Sequence, residues 1–154
     1  MLKTISPIDN SLYSEIPYAS DSTIENTLTS SQIAKTAWKN TGLQERKKLI
    51  VKFVDCFLSN SKEIEEELSR QMGRPISQCA GELRGFEERA KYMINNAERA
   101  LEKVISKNDN EFDNYVSKDP LGTIFVIAPW NYPYNTSVNS IVPSLLAGNC
   151  VILK

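Results

Sequence analysis

The sequence predicts an α/β fold in which helices cover an incomplete parallel, Rossmann-like sheet. Three observations carry that prediction. Residues 123–128, Thr-Ile-Phe-Val-Ile-Ala, form an unbroken apolar run rich in branched side chains, as a strand buried on both faces should. Val138, Ile141, Val142, Leu145 and Leu146 follow at helical spacing. Cys150 to Leu153 is a second apolar run, set off from the helix by Gly148. Strand, helix, strand is a βαβ unit, expected to join parallel strands by a right-handed crossover.

The elements before it are mostly helical. Residues 1–20 read as an extended or hairpin segment, with Ile5, Leu12, Tyr13 and Ile16 around a Pro-Ile-Asp-Asn-Ser turn cluster. Residues 21–106 read as a helical region. Ser22-Thr-Ile-Glu25 has the spacing of a capping box, which predicts a helix to about Trp38 with its exit at Gly42. Leu49, Ile50, Phe53, Val54, Phe57 and Leu58 share one face of a second helix, and Cys56 is expected in its core. Asn60-Ser-Lys-Glu63 offers another box, Ile64, Leu68 and Met72 repeat every fourth residue, and Gly73 with Pro75 ends the run. From about Ser77 a long helix turns Leu83, Phe86, Ala90, Met93, Ala97, Leu101 and Val104 inward, until Lys107-Asn-Asp-Asn110 breaks it. Residues 111–154 then hold a short strand from Glu111 to Val116, turn chemistry at Asp119-Pro-Leu-Gly122 and the βαβ unit, in which Pro143 is expected to kink or restart the helix.

Composition narrows the function classes. The chain has 154 residues, 41% hydrophobic and 24% charged, which suits a packed domain rather than a disordered one. Its net charge of −1 lacks the basic footprint of a nucleic-acid binder. No apolar run approaches a membrane span, and the opening residues lack a secretory pattern, so a cytoplasmic location is expected. The chain contains no histidine, which removes histidine bases, histidine-activated nucleophiles and histidine-ligated metals from its repertoire, and no metal site is expected. Its three cysteines, Cys56, Cys79 and Cys150, are too widely spaced for a zinc ribbon or a disulfide framework. Cys79 opens a helix, where a thiol pKa can fall, although an inert and partly buried thiol is the simpler expectation.

The chemistry concentrates in Ala128-Pro-Trp-Asn-Tyr-Pro133, beyond the carboxyl end of the first buried strand, where doubly wound sheets bind ligands. Two prolines stiffen this loop. Asn131 between them offers an amide that can donate to an oxyanion without titrating, although from local sequence alone an asparagine between prolines is more often a turn former. A Gly-x-Gly-x-x-Gly fingerprint is absent.

The runs Pro120-Leu-Gly-Thr-Ile-Phe-Val-Ile-Ala-Pro-Trp-Asn-Tyr-Pro133 and Pro143-Ser-Leu-Leu-Ala-Gly-Asn-Cys-Val-Ile-Leu-Lys154 resemble the NAD(P)-dependent aldehyde dehydrogenase superfamily. Met72-Gly-Arg-Pro75, and Trp38 ahead of Glu45 and Arg46, sit in the family's order. The resemblance covers nearly the whole chain but roughly the first third of a typical member. It implies the N-terminal portion of the aldehyde dehydrogenase fold, a partial cofactor-binding domain from a truncated or split member, with the catalytic domain absent.

It also implies that Asn131 stabilises the oxyanion of the thiohemiacetal. Ile127, Ala128, Pro129 and Trp130 would line the NAD or NADP cofactor, partly through backbone atoms, and Lys154 would reach the ribose hydroxyls of its adenosine half. The family's nucleophilic cysteine, glutamate base, glycine-rich cofactor loop and C-terminal oligomerisation strand would all lie beyond Lys154. A small-molecule aldehyde would then be the substrate only with a complementing C-terminal chain. The isolated chain is expected to be inactive and to self-associate. The alternative is a non-catalytic remnant that persists as a cofactor-binding or partner-binding module.

Overall fold

The computed structural model describes residues 1–108 and 112–154, with the backbone alone at 107 and 108. The expected strand start at Glu111 and part of the expected break over 107–110 lie outside the described residues. The chain opens with an antiparallel hairpin of β1 (Leu2–Ile5) and β2 (Leu12–Ile16). Four helices follow: α1 (Asp21–Asn40), α2 (Leu43–Ser59), α3 (Ser61–Met72) and α4 (Ile76–Leu101). A second antiparallel hairpin, β3 (Val104–Asn108) with β4 (Asp113–Val116), leads to the βαβ unit of β5 (Thr123–Val126), α5 (Pro133–Leu146) and β6 (Cys150–Leu153). As the sequence predicts, β5 and β6 are parallel, with Thr123 opposite Cys150 and Val126 opposite Leu153.

The core forms where α5 meets α4 and α2. Ile50 and Val54 of α2, Phe86, Ala90, Ile94 and Ala97 of α4, and Val138, Val142 and Leu146 of α5 make one buried cluster. Removing such side chains from water stabilises the fold by about 1.5–3 kcal/mol for each large residue. The Phe57 ring lies between those of Phe86, 4.5 Å away, and Tyr134, 5.1 Å away, so one aromatic contact chain joins all three helices. The first hairpin docks on α3. The Tyr13 hydroxyl donates to Glu67 Oε1 at 2.5 Å, and Pro7 packs on Gly73. Gly73 ends α3 with φ 75°, and a Cβ there would stand 2.8 Å from Pro7 Cγ. Glycine is required at this position on both grounds.

Several helix ends differ from the sequence expectation. The N-cap of α1 is Ser20, two residues before Ser22, and its hydroxyl accepts from the Thr23 amide at 3.1 Å. Ser20, Ser22 and Thr23 compete for the same cap, and the serine nearest the chain's extended entry takes it. The helix runs on to Asn40, and Gly42 is the N-cap of α2 with φ −61° rather than a left-handed exit. Asn60 precedes α3 without a side-chain cap, because its amide turns back to the Cys56 carbonyl at 2.8 Å. Val104 leaves the long helix and opens β3, where it is exposed. Cys56 is exposed, not core: α2 buries the stripe of Ile50 and Val54, and Cys56 lies off it.

The βαβ unit also differs in detail. β5 ends at Val126, and it is not buried on both faces: Phe125 is 60% exposed, and Ile127 beyond it 65%. α1 covers only the start of that face, where Thr123 Oγ1 meets Ser31 Oγ at 3.1 Å. β6 is half-buried for the same reason, with Leu153 exposed. α5 continues through Pro143. The hydrogen bond lost there would have ended on the carbonyl of Asn139, an exposed residue whose backbone water can satisfy.

Both ends of α5 are held by side chains from other helices. At its C-terminus the Trp38 indole donates to the Leu145 carbonyl at 3.0 Å, and Arg46 Nε to the Leu146 carbonyl at 3.0 Å. Arg46 is buried, and its Nη1 also donates to the Thr41 carbonyl after α1. Replacing Arg46 with Met should cost on the order of 1–3 kcal/mol through the stranded carbonyls, measured as a lower denaturant midpoint. Burial raises the Tyr134 phenol above its ordinary pKa, with Glu82 and Glu67 adding to the shift. A raised folded-state pKa gives stability that is fully present below about pH 10 and is lost as pH rises through the folded value. Tyr134→Phe should therefore lose less melting temperature than the parent chain between pH 9 and 12.

Candidate active-site loop

The parallel ladder extends past the ends of the two strands and assembles the site. Cys150 N donates to Gly122 O at 2.8 Å before the first strand residue, and Lys154 N to Val126 O at 2.8 Å after the last. Ala128 N then donates to Lys154 O at 3.0 Å. Ile127, Ala128 and Lys154 are thus brought side by side at the carboxyl ends of β5 and β6. Buried Asn149 fixes the opposite end: its Oδ1 accepts from Gly122 N at 2.9 Å and its Nδ2 donates to Ser144 O at 3.3 Å. Gly148, just before it, adopts φ 91°, a left-handed turn that lets the chain leave α5 and enter β6.

The chain bends through 129–132 into α5. Pro133 is the first residue of α5, where its missing N–H costs nothing. Ala128 and Pro129 are half-buried, whereas Ile127, Trp130, Asn131, Tyr132 and Lys154 are exposed. Trp130 is 78% exposed, so it does not pack into the fold. The site is an open face rather than an enclosed cleft. Among the described residues the Asn131 side-chain amide makes no hydrogen bond, while its backbone carbonyl is firmly held.

That hold comes from two residues that sequence reasoning passes over as functional. Arg74 Nη2 donates to the Asn131 carbonyl at 2.7 Å, and Arg74 Nη1 pairs with Glu82 Oε2. The guanidinium carbon lies 4.4 Å from the centre of the Tyr132 ring. Glu82 Oε1 accepts from the amides of Tyr134 at 2.9 Å and Asn135 at 3.3 Å, which are orphan donors in the first turn of α5. A carboxylate at that end also complements the helix dipole. The Glu82 side chain is fully buried and that of Arg74 nearly so. A signal for Glu82 does exist in the sequence: it lies on the apolar stripe of α4, three residues after Cys79 and four before Phe86, where a carboxylate requires buried partners.

The family model described as "Aldehyde dehydrogenase family" matches residues 1–154, the whole chain. The chain belongs to the aldehyde dehydrogenase family. It is 28% identical over 155 residues to the alpha-ketoglutaric semialdehyde dehydrogenase of Bacillus subtilis, covering all of this chain and 32% of that protein. It is 27% identical over 153 residues to the 3,6-anhydro-alpha-L-galactose dehydrogenase of Streptomyces coelicolor, covering 99% of this chain and 31% of the relative. Its fold superimposes with a TM-score of 0.89 on PnpE from Pseudomonas sp. WBC-3, a structure also solved in complex with nicotinamide adenine dinucleotide. The two are 28% identical, and the match covers 99% of this chain and 31% of PnpE. The chain thus spans about a third of the length of the curated relatives it matches.

The three cysteines of the chain differ sharply from one another. Cys79 has no exposed surface, and burial raises its thiol pKa in spite of nearby Arg74. The helix-start position therefore does not activate it. Burial likewise raises the half-buried Cys150 thiol. Cys56 is exposed. Under native conditions iodoacetamide should label Cys56 first and Cys79 only after unfolding, with peptide mass spectrometry resolving the order.

Proposed function

We propose that the chain forms the N-terminal, cofactor-contacting part of an oxidoreductase that converts an aldehyde to a carboxylic acid with NAD or NADP. The observation that carries this reading is Asn131, an exposed amide without a hydrogen bond among the described residues, on a loop tied at its backbone by the buried Arg74 and Glu82 pair. When a thiolate attacks an aldehyde, charge develops on the carbonyl oxygen. A prepositioned amide donor stabilises that oxygen without reorganising and without titrating. NAD(P)+, when bound, supplies the hydride acceptor. The exposed surface fits such a cofactor: Ile127 and Trp130 offer apolar area beside the backbone of Ala128 and Pro129, and Lys154 offers a donor for ribose hydroxyls.

In this mechanism a cysteine thiolate adds to the aldehyde and hydride leaves the adduct. The thioester is then hydrolysed by water that a glutamate activates. By the family resemblance, the nucleophile and base roles belong to a segment that follows the matched third, and turnover would need that segment. With that segment present, Asn131→Ala should lower kcat about 10²–10³-fold, the usual cost of one oxyanion donor. Formation of reduced cofactor followed at 340 nm measures it, and an unchanged rate would refute the role.

We place the protein in the cytosol, a setting that three free thiols favour. A module that binds a partner without turnover is the second reading, and the open apolar face of Phe125, Ile127 and Leu153 favours it. Without a cover, that face and the strand edges beside it should drive self-association. Size-exclusion chromatography with light scattering should find oligomers at micromolar concentration. A strictly monomeric chain would count against the exposed face as an interaction surface.

A further inference from the structure

The geometry points to Arg74 as a positioning residue for the asparagine loop, acting through one planar guanidinium with three simultaneous contacts. The inference rests on the role proposed for Asn131. One edge of the guanidinium pairs with the buried carboxylate of Glu82, another donates to the Asn131 carbonyl, and its face covers the Tyr132 ring. The other Glu82 oxygen holds the first-turn amides of α5. The loop's exit and its central residue are therefore referred to the same buried anion, across 57 residues of sequence from Arg74 to Asn131. The Asn131 side chain makes no hydrogen bond of its own among the described residues, so this backbone attachment fixes the origin of the side chain, its Cα–Cβ bond.

A lysine cannot reproduce the arrangement. It keeps the charge, and it can keep the pair with Glu82, but it has neither the fork to reach the Asn131 carbonyl nor a plane to stack on Tyr132. The test is ¹⁵N relaxation on the 154-residue chain and on Arg74→Lys, with the two samples matched in oligomeric state by light scattering. In the parent chain, order parameters at the Asn131 and Tyr132 amides should be near 0.85, the value of rigid backbone. In Arg74→Lys they should fall below about 0.6, while the Tyr134 and Asn135 amides stay protected from exchange because Glu82 still caps them. Should Arg74→Lys fail to fold, Tyr132→Leu removes the stacking platform alone, and the Asn131 order parameter should still drop. An Asn131 amide as rigid in the folded variant as in the parent overturns the positioning role.

A second readout links position to chemistry. With the complementing segment present, Arg74→Lys should lower kcat with little change in KM, and it should have no further effect once Asn131 is already Ala. Effects that multiply in the double variant overturn the inference. If Asn131→Ala alone leaves turnover unchanged, the oxyanion role fails, and the relaxation data still decide whether Arg74 fixes the loop.

Discussion

Helix α5 is clamped between buried charges of opposite sign, and the rest of the architecture is arranged around that clamp. Its first-turn amides point at the Glu82 carboxylate and its last carbonyl, that of Leu146, at the Arg46 guanidinium. Each charge sits at the end of the helix dipole that favours it, and each satisfies backbone groups that the helix cannot satisfy internally. Burying a carboxylate or a guanidinium is costly, and these two are tolerated because each has several partners in place. The apolar side of α5 then packs Val138, Val142 and Leu146 against α2 and α4. The two strands joined to it pair in parallel, with Thr123 opposite Cys150 and Val126 opposite Leu153.

The same constraint explains why an exposed loop can be well placed. Of residues 129–132, three (Trp130, Asn131 and Tyr132) are exposed to solvent. Their order is borrowed from buried groups: the Glu82 and Arg74 pair on one side, and the Ala128 to Lys154 ladder bond on the other. In the role proposed for Asn131, charge stabilisation would depend on such prior order, since a donor that must rearrange at the moment of reaction loses much of its advantage.

Much of this was legible in the sequence, for reasons that differ between elements. The βαβ unit declared itself because its apolar runs and helical period are long enough to exclude other readings, and the asparagine loop because two prolines frame it. The helix ends were less legible. Ser20, Ser22 and Thr23 all lie near the start of α1, and local chemistry does not choose among them, whereas the path of the entering chain does. The burial of β5 was overstated because branched residues signal strand propensity without saying which faces receive a cover. Glu82 and Arg46 escaped notice as structural charges for a related reason: besides nearby partners at Arg74 and Thr41 they bond backbone groups 52 and 100 residues away, and a local pattern can flag a buried charge without naming such distant partners.

The two tryptophans bracket α5. Trp38 is bonded to the carbonyl of Leu145 at one end, and Trp130 stands in solvent just before the other. At 1.5 Å per residue the helix is roughly 21 Å long. The chain therefore contains a half-buried, hydrogen-bonded indole that reports on the anchored terminus and an open indole that reports on the loop. A water-soluble collisional quencher would darken the second before the first, so the two ends of one helix can be watched separately by their own fluorescence.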